Sequence, residues 1–102
     1  MQLAIHAPKI GKTESLSNHI EARMQAALGQ YERRIRSVDV KVQDINANHG
    51  GSDKRCQVMV HFDRSGTVMA EDIQPDLYAA VSLAADKIKH AVSRELGRRR
   101  VH

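Results

Sequence analysis

The stretch from Pro75 to Arg100 constrains this chain most. Leu77, Val81, Ala84, Ala85, Ile88, Val92 and Leu96 recur at three- and four-residue spacing with no proline among them. At about 3.6 residues per turn they fall on one apolar stripe of a long helix. Asp76 follows Pro75 and precedes the run, so it is the expected N-cap. Gly97 reads as the stop, because a continued helix would return Arg99 to the core side. Lys87, Arg94 and Arg98 lie on a flank about 100° from Ile88, with His90 beside them. The helix therefore has a core face and a basic edge.

The rest of the chain supplies a partner for that core face. Leu3, Ile5 and Ala7 alternate with Gln2, Ala4 and His6, which predicts a first strand. Thr13 is a good N-cap with Glu14 in the first turn, and Leu16, Ile20, Met24, Ala27 and Tyr31 follow at helical spacing. Gly29 weakens that helix near its end, and Arg33, Arg34 and Arg36 make a basic turn into the next strand. Val38, Val40 and Val42 alternate with Asp39, Lys41 and Gln43, and Ile45 breaks the parity, so the strand ends or bulges there. Residues 46–53 read as a flexible loop. Cys56, Val58, Val60 and Phe62 then point inward against Gln57, Met59 and His61. Asp63 to Gly66 is a tight turn, and Thr67 to Ile73 a fourth strand with Val68 and Ala70 inward. The order is β-α-β-β-β-α. Strands one and two, joined through a helix, are expected to be parallel and the remaining pairs hairpins. Both helices then cover one face of a four-stranded sheet, an α+β sandwich.

Composition narrows the function classes. The chain has 102 residues, one domain's worth, and with aromatics at 3% its core must be aliphatic. Residues 1–36 hold six basic and three acidic residues, 37–76 four and seven, and 77–102 six and two. The two positive blocks are the helical segments, as on a nucleic-acid binder. The bland reading of the same charge is solvated helix surface. One cysteine excludes an intrachain disulfide and fits a reducing compartment. No run approaches a membrane span and the first ten residues lack the apolar core of a signal peptide, so a soluble cytoplasmic protein is expected.

Three pieces in order resemble the ribosome hibernation-promoting factors, also called ribosome-associated inhibitors. They are D-L-Y-A-A-V-S-L-A-A-D-K-I at 76–88, T-E-S-L at 13–16 and R-I-R-S-V-D-V-K-V at 34–42. The resemblance implies a fold like the double-stranded-RNA-binding domain. It also implies binding to small-subunit RNA in the channel where messenger and transfer RNA sit, leaving an idle ribosome. Carried over by position, Arg23, Lys87 and Arg94 match basic places of the family. His90 stands where the family often has a cation, and Arg98 lies beyond Gly97. With the basic turn, the candidate RNA contacts are Arg23, Arg33, Arg34, Lys87, His90, Arg94 and Arg98. The chain departs from the short members at 46–56 and in a longer first helix, as a divergent branch would. It is read as one ribosome-binding domain over 1–102 with a short basic tail from about 97, and without the second, dimerising domain of long members.

Other features read as structural. Cys56 and His61 sit an odd number apart on one strand and point to opposite faces, which argues against a metal pair or a Cys–His dyad. The six histidines form no ligand spacing, and Gly50-Gly51 lacks the Lys and Ser/Thr of a phosphate loop. No cofactor, metal or catalytic set is expected. Asp86 and Glu95 read as helix salt-bridge partners, and Tyr78 as packing beside the helix start rather than stacking on a base. The competing class is a protein-interaction module that uses the open sheet face around Met59 and His61, without RNA.

Overall fold

The computed structural model describes residues 1–45 and 53–100, with the backbone alone at Arg100. The expected loop at 46–53, with His49 and the glycine pair, lies almost wholly outside those residues. The elements are β1 (Gln2–His6), α1 (Glu14–Leu28), β2 (Ile35–Asp44), β3 (Lys54–Phe62), β4 (Thr67–Gln74) and α2 (Leu77–Arg100). A 3₁₀ helix over Gly29–Arg34 joins α1 to β2. The strands lie in the order β1-β2-β3-β4, with β1 parallel to β2 and the other pairs antiparallel. This is the expected α+β arrangement.

The caps form where expected. The Leu16 amide donates to Thr13 Oγ1 at 3.1 Å, and the Tyr78 amide donates to Asp76 Oδ1 at 3.1 Å. Each satisfies one of the amides a helix leaves unpaired at its start.

The inner sheet face is built in rows. Leu3, Val38, Val60 and Val68 form one, and Ile5, Val40, Val58 and Ala70 the next. A third row, Val42, Cys56 and Asp72, places one carboxylate on the inner side at the β4 edge. Leu16, Ile20, Met24 and Leu28 of α1, and Val81, Ala84, Ile88, Val92 and Leu96 of α2, close over these rows in a single buried cluster. Replacing one such buried side chain, Ile88 for instance, by Ala costs about 2–5 kcal/mol. Cys56 belongs to this core. Burial, and then the neighbouring Asp72 carboxylate, push its thiol up to about 12, so it is an inert apolar filler.

Three boundaries differ from expectation. First, α1 tightens into the 3₁₀ turn at Gly29. Leu28, not Tyr31, is then its last fully buried residue. Second, β2 does end at Asp44, but it bulges at its other end. Ile35 faces Phe62 while Ser37 faces His61, so Arg36 is an extra, exposed residue. Ile35 thereby stays buried although Val38, three residues on, is buried too. Third, α2 runs through Gly97 to Arg100 instead of giving way to a tail. Arg99 does return to the core side, and the fold uses it. Its guanidinium lies 4.6 Å from the centre of the Phe62 ring, donates to the Ser65 carbonyl at 2.7 Å and pairs with Glu95. A cation–π contact and a capped turn replace the fraying that an arginine on an apolar stripe predicts.

Candidate nucleic-acid interface

The outer side of the helix layer presents the candidate cations, and the structure divides them by what they touch. At the N-terminal half of α2 they are paired. Arg23, reaching from α1, donates to the Ser82 carbonyl at 3.4 Å and to Asp86 at 3.3 Å, bridging the two helices. On the opposite flank, Lys87 Nζ lies 2.8 Å from Asp72 and donates to the Glu71 carbonyl at 3.2 Å. The Asp72 side chain is only 10% exposed. The Lys87 hydrogen bond, with help from Gln74 and against burial, holds its carboxyl below the usual carboxylate range. Lys87 therefore also neutralises a nearly enclosed acid. His90 is exposed on the ridge between the flanks, its Nδ1 donating to the Asp86 carbonyl at 2.9 Å.

Around the C-terminal half the cations are less committed. Arg94 and Arg33 are exposed, and among the described residues neither has a hydrogen bond or ion pair. Arg34 makes only a long contact, 4.0 Å, with Asp63. Arg98 is 75% exposed and shares Glu95 with Arg99. Arg98 first, and Arg99 second, hold the Glu95 carboxyl low. Arg33 and Arg34 meet Ser93 and Gly97 across one cleft, while Arg94 and Arg98 share a shallower depression with Met69 on the β4 side. The seven candidates thus share one layer but form no single cluster. Lys89 was missed. It is exposed and, among the described residues, unpaired. The helical arithmetic that placed Lys87 puts Lys89 about 100° from Ile88 on the other flank, the α1 side.

The family model described as Sigma 54 modulation protein / S30EA ribosomal protein matches residues 3–100. The chain belongs to this family. The ribosome hibernation promotion factor of Picosynechococcus sp. is 29% identical over 89 residues, which cover 86% of this chain and 45% of that protein. The chloroplastic ribosome-binding factor PSRP1 of Spinacia oleracea is 21% identical over 91 residues, covering 87% of this chain and 30% of its own length. The chain therefore spans less than half the length of these curated relatives. Two solved structures share its fold. A ribosomal subunit interface protein from Coxiella burnetii superposes with a TM-score of 0.81 at 14% identity, covering 95% of this chain and 99% of the other. The N-terminal domain of Thermus thermophilus Protein Y gives 0.76 at 20% identity, covering 92% and 98%.

This family member's open sheet face is chemically different from its helix layer. His61 Nε2 donates to Asp39 at 3.0 Å, Arg55 donates to Gln43 at 2.6 Å, and Gln57 donates to Glu71 at 3.4 Å. Cross-strand polar pairs thus satisfy one another over much of the face. Its apolar content sits towards the β4 edge, where Met69 is 50% and Ile73 45% exposed. Cys56 and His61 do point to opposite sides. Tyr78 lies at the helix start, its hydroxyl 3.0 Å from Ser15 Oγ and its ring edge-on to His19. Among the described residues no helix is long and apolar enough to cross a membrane.

Proposed function

We propose that this chain is a single ribosome-binding domain of a cytoplasmic hibernation factor. It lays its helix layer on small-subunit RNA in the channel used by messenger and transfer RNA. Inhibition is by occupancy and needs no catalytic step, metal or cofactor. The observation that carries the reading is family membership over nearly the whole chain, joined to exposed Arg33, Lys89 and Arg94, unpaired among the described residues. Cations of this kind neutralise phosphates and release counterions, giving salt-dependent affinity without reading bases. A convex helix surface recognises folded RNA by shape. Arg23, Arg34, Lys87 and Arg98 contribute after exchanging their carboxylates for phosphates, and His90 as a hydrogen-bonding group on the ridge.

The test is co-sedimentation with purified ribosomes over a salt series, wild type beside Lys87→Glu/Arg94→Glu. Wild type is expected to pellet with the small subunit at low salt, with a log–log salt slope of about 0.7 per phosphate neutralised. The double variant stays in the supernatant. Wild type that fails to pellet at low salt overturns the reading, and the search then moves to a protein partner for the open face around Met59 and Met69.

A further inference from the structure

The cleft between the 3₁₀ turn and the last turns of α2 has properties that a general phosphate-binding surface does not need. It is a half-open cleft of about 630 Å³, within the range of roughly 300–1,000 Å³ typical of small-ligand sites. Gln30, Tyr31, Arg33 and Arg34 line one wall, and Ser93 and Gly97 the other. Buried Leu96 also contributes to the lining. Gly97 is the anomaly. It sits inside a helix, where glycine is disfavoured, and its backbone is not in the left-handed region. Packing does not demand it either: a Cβ added there would meet nothing within 4 Å. What the missing side chain leaves is open space on the wall facing Tyr31 and the arginines. Glycine is used where a backbone must be approached closely by something else.

We infer that this cleft is a nucleotide subsite, with a base against Tyr31 and the bare backbone at Gly97 and its phosphate on Arg33 and Arg34. Arg33 has no competing partner among the described residues and Arg34 only the 4.0 Å contact with Asp63. Their guanidinium planes suit both phosphate and the face of a base. Tyr31 is half-buried, packed against the core on one side and contributing to the cleft on another, so its ring is held ready for stacking. Gln30 and Ser93 add amide and hydroxyl groups for the base edge or ribose. The same chemistry arises from an unstacked nucleotide of RNA or from a free nucleotide. The RNA source rests on the ribosome reading above, whereas the free-nucleotide source does not.

The experiment is an amide chemical-shift titration of the full ¹⁵N-labelled chain with AMP, ribose 5-phosphate, inorganic phosphate and a single-stranded RNA octamer. AMP is expected to shift the amides of Gln30, Tyr31 and Gly97 saturably. It should bind about tenfold more tightly than ribose 5-phosphate, the scale of one base–aromatic stack. Gly97→Gln, which places its side chain in open space and keeps the fold, should weaken AMP about tenfold, as should Arg33→Ala. Lys12→Ala, in a separate depression beside β1, should leave AMP binding unchanged. Octamer shifts at the same amides assign the site to RNA, and AMP shifts without octamer shifts assign it to free nucleotide. Equal affinity for ribose 5-phosphate and AMP overturns the inference, as does the absence of shifts at these amides with every probe. Co-sedimentation of Gly97→Gln separates the two readings. If it pellets like wild type and the cleft is silent, the subsite falls and ribosome binding stands. If the cleft binds AMP while wild type does not pellet, ribosome binding falls and the subsite stands.

Discussion

The cations around the two ends of α2 are alike in kind and differ in commitment. Beside the N-terminal half, Arg23 of α1 and Lys87 of α2 are held by Asp86 and Asp72. Around the C-terminal half, Arg94 of α2 and Arg33 of the 3₁₀ turn are unpaired among the described residues. The contrast separates formal charge from available charge. Lys87 and Arg94 lie on one flank by helical arithmetic, yet Lys87 faces a carboxylate that arrives from β4, fifteen residues earlier. Exposed ion pairs contribute only about 0–1 kcal/mol, so phosphate can displace them, but a cation released from a partner adds less than one already free. On the proposed RNA contact, the C-terminal half is expected to be the stronger determinant and the N-terminal half the more structural one.

Truncating the two cations separately is expected to give the largest difference. Arg94→Ala should weaken ribosome binding about fivefold to tenfold with little change in stability. Lys87→Ala should weaken binding only about twofold to threefold but cost about 1 kcal/mol of stability, because it strands the Asp72 carboxylate. Sedimentation and urea unfolding read the two effects, and equal binding losses would erase the distinction. The pH dependence follows. The folded-state pKa of Asp72 is depressed below its ordinary 3.8, chiefly by Lys87. Its contribution is present above that ordinary value and is lost as pH falls through the folded-state value. Wild type should thus lose more stability than Lys87→Ala between neutral pH and the acid side of that window, measured by urea midpoints.

A second pair of substitutions tests the C-terminal half as an ordered element. Gly66 has φ of +100°, and an added Cβ would lie 2.6 Å from the Arg99 guanidinium. Gly66→Ala should destabilise by about 1–2 kcal/mol. Gly97→Ala should stabilise by up to about 1 kcal/mol, since the helix continues through it. Opposite shifts in Tm are expected, and a fall in both would mean that α2 does not extend past Gly97. The smallest effect is at Asp86. Asp86→Asn frees Arg23 for phosphate and should raise ribosome affinity about twofold, with stability changed by less than about 0.5 kcal/mol. An unchanged affinity would show that Arg23 remains a helix-to-helix tie.

The fold was readable because its signals are periodic. Alternation marked the strands, the seven-residue stripe marked α2, and Thr13 and Asp76 marked the helix starts. What misled were residues whose role is set from a distance. Gly97 resembles a stop, yet Arg99 gains Phe62, Ser65 and Glu95 only if the helix continues, and none of these except Glu95 is near it in sequence. The bulge in β2 leaves only the odd spacing of Ile35 from Val38, which becomes a signal once Ile35 pairs with Phe62 in the strand instead of lying in the basic turn. For the candidate site, residue type and flank could be read but pairing could not. Asp72 sits in strand alternation as an ordinary β4 residue, and only the sheet register brings it under Lys87. Lys89 is readable by the same arithmetic as Lys87, on the opposite flank of α2.

The bulge at Arg36 separates what the chain needs in length from what it needs in chemistry. Arg36 is exposed and is the surplus residue of its pair, so its identity is nearly free. Its presence is not. Remove that one position and the segment from Gln30 to Ile35 must either turn over, carrying Ile35 into water and Arg33 and Arg34 to the opposite surface, or pull the β2–β3 pairing out of step. The aim of the basic turn is set by a count of residues, and the side chain at that position has little part in it.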